Sequence, residues 1–291
     1  MCIRDSDLHP DFFSTQLAIA TADALGVPAI GVQHHHAHLA AVIAEHGITE
    51  PVVGLALDGV GLGSDNTPWG GELLWLDGAQ WQRLGHLQPL ALPGGDRAAR
   101  EPWRMAASAL HALGRGDQIV PRFGHAGGEA TAAGVRQMLD KRLNCPMTSS
   151  AGRWFDAAAG ALGLCHHQRD EAQAAIALEQ AATRALTAQP TLAPLPGAVT
   201  GADGVVDLRP LLAQLFDAPD ADVAAAGFHL AMADALADAL IAAAHVRGIR
   251  TATLGGGCFF NRILRERIEQ RLASARLTVL QTGAKGCGDA G

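Results

Sequence analysis

The chain has 291 residues, 48% of them hydrophobic and 18% charged, with a formal net charge of −7. That length and apolar content fit a folded α/β protein with a sizeable core, as one large domain or two lobes. Its 22 basic residues supply no field for nucleic acid or an anionic membrane. The five cysteines form no C-x-x-C pair and are odd in number, which argues against a disulfide framework and a thiolate zinc knuckle. No apolar run approaches the roughly 20 residues of a membrane span, and no signal-peptide core stands at the amino terminus. A reducing cytoplasm is the expected location.

Residues Met1 to Ser6 match nothing around them. The first predicted element is a helix over 15–25 capped by Ser14, with no strand before it. A short apolar run over 27–32, bounded by Gly and Pro, reads as a strand buried on both faces. It turns directly into a helix beginning near His34. His34 and His38, four apart, then project from one face, where two neutral imidazoles can reach one metal ion. His35 and His36 point elsewhere. A solvated polar helix start, or a set of hydrogen-bonded histidines, explains the same spacing, and no Glu follows the first His as in a zinc protease helix.

The run 52–57 reads as a buried strand ending on Asp58-Gly59-Val60-Gly61-Leu62-Gly63. A carboxylate at a strand end, followed by glycines, makes Asp58 the natural third ligand, with a simple hairpin turn as the alternative. Return strands are predicted over 70–76 and 81–92. The stretch Pro93-Gly94-Gly95-Asp96-Arg97 reads as a hinge between a first lobe, 1–93, and a second, 94–291. A helix over 98–113 carries Arg100-Glu101-Pro102-Trp103-Arg104. There Arg97, Arg100 and Arg104 suit phosphate or carboxylate groups, or alternatively form a salt-bridged surface.

Three hydroxyls in Thr148-Ser149-Ser150 precede a helix running to Leu164, a start suited to anions or to ordinary capping. An Ala-rich amphipathic helix over 171–185, a connection with a short strand at Val205-Val206, and a long helix over 221–246 follow; His229 and His245 on the last read as packed or solvated. The strand 251–254 feeds Gly255-Gly256-Gly257-Cys258-Phe259-Phe260-Asn261 and a helix over 262–272, which together resemble a phosphate or nucleotide cradle. The pattern is neither a P-loop nor a Rossmann fingerprint. A last strand over 277–280 leads towards Asp289.

Taken together, these stretches resemble the last domain of the HypF carbamoyltransferase family of nickel-iron hydrogenase maturation. The matching pieces are Asp7-Leu8-His9-Pro10, Gln33 to His38, Leu57-Asp58-Gly59 with Trp69-Gly70-Gly71-Glu72, Gly94-Gly95-Asp96 with Arg100 to Arg104, Thr148 to Asp156, and Gly255 to Asn261. The resemblance implies an α/β fold of the actin/Hsp70-like (ASKHA) nucleotide-binding type with two ribonuclease-H-like lobes, here expected to be truncated at both ends. In such relatives an H-x-x-x-H pair and Asp residues hold a metal beside the nucleotide, which maps to His34, His38, Asp58 and Asp289. The implied cofactors are a divalent metal, iron or zinc, and carbamoyl-adenylate or ATP as nucleotide substrate. Candidate nucleotide contacts are Ser149, Ser150, Gly152, Arg153, Asp156, Gly255, Gly256, Gly257 and Asn261; Arg100 and Arg104 are candidate catalytic residues.

The implied reaction transfers a carbamoyl group from carbamoyl-adenylate to the carboxy-terminal cysteine of HypE, with no nucleic acid or membrane involved. O-carbamoylation of a small molecule and a non-catalytic nucleotide- or partner-binding module are the competing readings. The chain departs from the family in matching no acylphosphatase, zinc-finger or adenylate-forming domain. Lys285-Gly286-Cys287-Gly288 also stand where the family has Pro-Pro-Asn before its Asp. The expectation is a fragment of a longer product or a degenerate function.

Overall fold

The computed structural model describes residues 4–282. It opens on two parallel strands, β1 (Arg4–Asp7) and β2 (Ala29–Val32), joined through α1 (Phe13–Leu25). A strand therefore precedes the first helix, where none was expected. Arg4-Asp5-Ser6-Asp7 has no apolar alternation to announce it, and backbone pairing with β2 makes it a strand. The residue before α1 is Phe12, not Ser14, and it makes no side-chain cap. Nor is β2 buried on both faces: Ile30 is 42% exposed, because this two-stranded sheet is separate from the main one. α2 (His34–Glu45) follows β2 after one residue.

An antiparallel meander comes next, β3 (Val52–Leu62), β4 (Pro68–Asp77) and β5 (Gln80–Leu87). The strand predicted over 81–92 is two elements, since β6 (Leu90–Ala91) leaves β5 and pairs with β7 (Met147–Thr148) in a small sheet. Between them lie α3 (Asp96–Arg100), α4 (Pro102–Ala112), α5 (Ile119–Gly127) and α6 (Glu129–Lys141). The single helix predicted over 98–113 breaks at Glu101, because Pro102 starts α4 and disfavours helical backbone in the residue before it. After β7 come α7 (Ala151–Ala161), α8 (Gln173–Ala188), β8 (Val199–Thr200), β9 (Val205–Asp207), α9 (Arg209–Leu215), α10 (Ala221–Arg247), β10 (Thr251–Gly255), α11 (Arg262–Ser274) and β11 (Thr278–Gln281).

The main sheet runs β11-β10-β3-β4-β5-β9-β8. Within it β5-β4-β3 are antiparallel, and β10 and β11 continue parallel to β3, the arrangement of a ribonuclease-H-like lobe. β10 from the far end pairs directly with β3, so one sheet takes strands from both sides of the predicted hinge.

β3 shows how the sequence builds this core. Val53, Leu55 and Leu57 face the helical layer that contains Trp103, Trp154 and Phe228, whereas Val52 and Ala56 face Leu39 of α2. All five are at most 1% exposed. A strand covered on both faces reads as continuous apolar sequence, and each buried leucine contributes about 1.5–3 kcal/mol. α10 is long and apolar enough to cross a membrane, but 83% of its most apolar window is buried inside the fold, as in a core helix.

Candidate metal centre

Asp58 owes its position to a bulge in β3. Leu57 pairs with Gly71 and Gly61 with Trp69, so Asp58, Gly59 and Val60 lie opposite Gly70 alone. Such a bulge interrupts pairing and re-aims a side chain. Gly59 and Gly61, expected beyond the end of the strand, instead belong to it, and the turn comes at Gly63 to Thr67.

The bulge aims the Asp58 carboxylate at the first turn of α2. Asp58 Oδ2 lies 3.1 Å from His34 Nε2 and 3.0 Å from His38 Nε2, and the two Nε2 atoms are 3.2 Å apart. Gln33 fixes the start of that helix: its side chain accepts from the His36 N–H at 2.8 Å and donates to the Leu62 carbonyl at 3.2 Å, tying α2 to the end of β3. Asp7, at the end of β1, closes the cluster from the other side, with Oδ2 2.6 Å from His34 Nδ1.

This donor set fits a divalent cation. Two imidazole nitrogens and a carboxylate oxygen with edges of 3.0–3.2 Å match neighbouring ligands around an ion bound at about 2.0–2.2 Å. Two histidines and one carboxylate suit iron as well as zinc. Burial alone would raise the Asp58 pKa, but its contacts with the His34 and His38 imidazoles outweigh it and hold the carboxyl well below the usual range. Next to the triad His35 is fully buried, and burial, reinforced by the neighbouring His34, lowers its pKa to about 3. It is a neutral packing residue. His36 stacks on Trp81.

The predicted nucleotide contacts converge on Asp58 but are largely occupied by the chain itself. Ser150 caps α7, accepting from the Arg153 N–H at 3.3 Å, while its hydroxyl donates to the carbonyls of Asp58, at 3.0 Å, and Gly59. A Cβ on Gly152 would stand 2.9 Å from Gly59 Cα, so the start of α7 presses on the bulge rather than opening to solvent. Ser149 donates to the buried Glu72 carboxylate, which also accepts from Arg83 Nε at 2.6 Å and from the N–H groups of Gly70 and Gly71. Glu72 therefore ties β4 to the segment just before α7, a role that the family resemblance over Trp69-Gly70-Gly71-Glu72 does not specify.

The glycine loop behaves similarly. Gly256 has φ +99°, and a Cβ there would stand 2.4 Å from the Leu57 carbonyl oxygen; Gly255 packs on the His38 carbonyl. At these two glycines the Cβ direction is occupied by this chain's own backbone, so the missing side chain serves packing of the loop against β3 and α2. Asn261 is a helix cap, accepting from the Leu264 N–H at 3.0 Å, with Nδ2 2.9 Å from the buried His229. Only Gly257 looks onto the carboxylate, its Cβ position 3.2 Å from Asp58 Oδ1.

Arg153 and Asp156 form an ion pair of 3.0 Å in which Asp156 is 2% exposed. Burial outweighs the Arg153 charge and raises the Asp156 pKa to about 6. Arg104 is 3% exposed and bound to Glu101 Oε2 at 2.6 Å and the Pro93 carbonyl at 3.2 Å. Arg97 also pairs with Glu101. The dense basic cluster is thus mainly a packed ion-pair network, and of the two predicted catalytic arginines only Arg100 is exposed. Asp289 lies outside the described residues.

Comparison with known proteins decides what this site belongs to. The family described as "Carbamoyltransferase, Kae1-like Domain, second subdomain" matches residues 54–291, and "HypF Kae1-like domain" matches 3–45. The chain belongs to the HypF carbamoyltransferase family. Its two HypF matches meet between residues 45 and 54, in the connection from α2 to β3. A HypF homologue of Cupriavidus necator is 56% identical over 98% of this chain and 74% of its own length. The crystal structure of T. kodakarensis HypF superposes with a TM-score of 0.89 at 30% identity, over 99% of this chain and 38% of that one. A full-length HypF in the phosphate- and nucleotide-bound form gives 0.86 at 28% identity, over 99% and 44%. The chain spans about three quarters of the first relative and less than half of each solved HypF.

Proposed function

We propose that this chain carries a carbamoyl-transfer centre of hydrogenase maturation, which moves a carbamoyl group from carbamoyl-adenylate to the carboxy-terminal cysteine of HypE in the cytoplasm. The observation that carries this reading is the convergence of His34, His38 and Asp58 at 3.0–3.2 Å, against Gly257 and the bulge of β3. In the transfer the acceptor thiolate sulfur bonds to the carbamoyl carbon, the bond from that carbon to the phosphate oxygen breaks, and AMP leaves with the electron pair.

His34, His38 and Asp58 would hold a divalent cation, iron or zinc. Such an ion, when bound, supplies Lewis-acid polarisation of a carbonyl or phosphoryl oxygen. Ser150 and the Glu72–Ser149 contact keep the bulge, and with it the Asp58 carboxylate, facing the two imidazoles. Among the described cysteines, burial pushes the Cys145, Cys165 and Cys258 thiols up. A thiol kept protonated is a poor nucleophile. The attacking thiolate is accordingly assigned to the acceptor protein. Arg100, exposed on α3, is left to meet the incoming substrate.

The test supplies carbamoyl-adenylate with either HypE or small hydroxylated acceptors, and follows carbamoylation by mass. Modification of HypE, lost in His38→Ala, supports the reading. Modification of the small acceptors alone would point to O-carbamoylation, and nucleotide binding without any transfer to a non-catalytic module.

A further inference from the structure

Asp7 stands outside the predicted ligand set, yet its carboxylate makes the shortest contact of the cluster, 2.6 Å from Oδ2 to His34 Nδ1. The placement is built by the small layer. β1 and β2 run parallel in a register that sets Asp7 beside Val32, and α2 begins two residues later at His34. Parallel pairing thus brings the last residue of one strand to the first helical residue after the other. Two further bonds hold the turn that follows: the Thr15 hydroxyl donates to the Asp7 carbonyl at 3.2 Å, and the His9 N–H to Asp7 Oδ1 at 2.8 Å. Both partners are largely shielded, with side-chain exposures of 11% for His34 and 15% for Asp7.

We propose that Asp7 is a positioning residue for the metal centre. A carboxylate faces each ring nitrogen of His34, but the Asp7 contact at Nδ1 is much the shorter, 2.6 Å against 3.1 Å for Asp58 at Nε2, and it draws the proton of a neutral His34 to Nδ1, leaving the lone pair on Nε2. That lone pair is the one directed at His38 Nε2 and Asp58 Oδ2. Carboxylates that bind the far nitrogen of a ligating imidazole fix its tautomer and ring orientation and raise its basicity. Asp7 therefore makes the small β1-α1-β2 layer part of the site: without that layer the large sheet supplies Asp58 but not the group that orients His34. The inference rests on His34 being a ligand.

The test uses the whole chain and zinc as the probe. Asp7→Ala is expected to weaken zinc binding about 10- to 100-fold in chelator competition. Asp7→Asn, which keeps an oxygen acceptor for His34 and His9, should lose less. In the metal-free wild type, nitrogen-15 NMR at alkaline pH should show His34 with its proton on Nδ1, and Asp7→Ala should shift it towards Nε2. A purely structural role for Asp7 would lower the melting temperature without moving the tautomer. Proton on Nε2 of His34 in the wild type, or wild-type zinc affinity in Asp7→Ala, overturns the proposal. Should Asp7→Ala fail to fold, the wild-type tautomer and Asp7→Asn still decide. Failure of the wild type to take up zinc would count against the metal reading, while the metal-free tautomer independently upholds or refutes the orienting role of Asp7.

Discussion

The Ser150 hydroxyl lies 3.0 Å from the Asp58 carbonyl oxygen, so the residue that caps α7 also holds the backbone of a candidate metal ligand. Ser150→Ala removes the cap and this clamp together. Loss of an N-cap costs about 1 kcal/mol, and the freed bulge should weaken metal binding as well. Thermal melts and zinc titration read the two effects separately. Unchanged values in both would show that the clamp carries nothing.

Glu72 is fully buried and paired with Arg83. Removing one partner of a buried pair leaves the other uncompensated, so Glu72→Ala should destabilise the fold by about 3 kcal/mol. Denaturant unfolding measures this. A cost near zero would mean that solvent already satisfies Arg83.

At Gly256 the backbone conformation and the nearby Leu57 carbonyl both exclude a side chain. Gly256→Ala is expected to cost about 2 kcal/mol or more and to disturb the neighbouring Asp58, lowering metal affinity and stability together. Weakened nucleotide binding with a wild-type melt and full metal content would instead restore the open-cradle reading of this loop.

These three sites also show what the sequence carries and what it hides. His34 and His38 are legible because helical spacing places them on one face, and Asp58 because a carboxylate ends an apolar run. Asp7 is not, being 27 residues from His34 in a polar strand with no periodicity. The glycines of 255–257 look the same in sequence whether a nucleotide or this chain's own backbone fills the space above them. Glu72 reads as an ordinary strand residue until β4 meets α7. The pairing of β10 with β3, which crosses the expected hinge at 93/94, joins residues about 200 apart and leaves no local trace in the sequence.

His229 predicts an acid-sensitive core. Burial lowers its pKa from 6.5 to about 4. The unfolded chain therefore binds more protons between those values, so this contribution is complete above pH 6.5 and is lost as pH falls towards 4. Asp156, raised from 3.8 to about 6, works in the opposite sense over part of the same range. Comparing melts of the wild type and His229→Gln across this window isolates the histidine: the wild type should lose more stability on acidification. Parallel curves would contradict the assignment.

The metal centre is tested most directly by elemental analysis of the purified chain beside His34→Ala, His38→Ala and Asp58→Ala. The expected result is about one equivalent of iron or zinc in the wild type and a marked loss in each variant, with melts showing that the variants remain folded. Equal metal content in the wild type and the folded variants would contradict the assignment of this site.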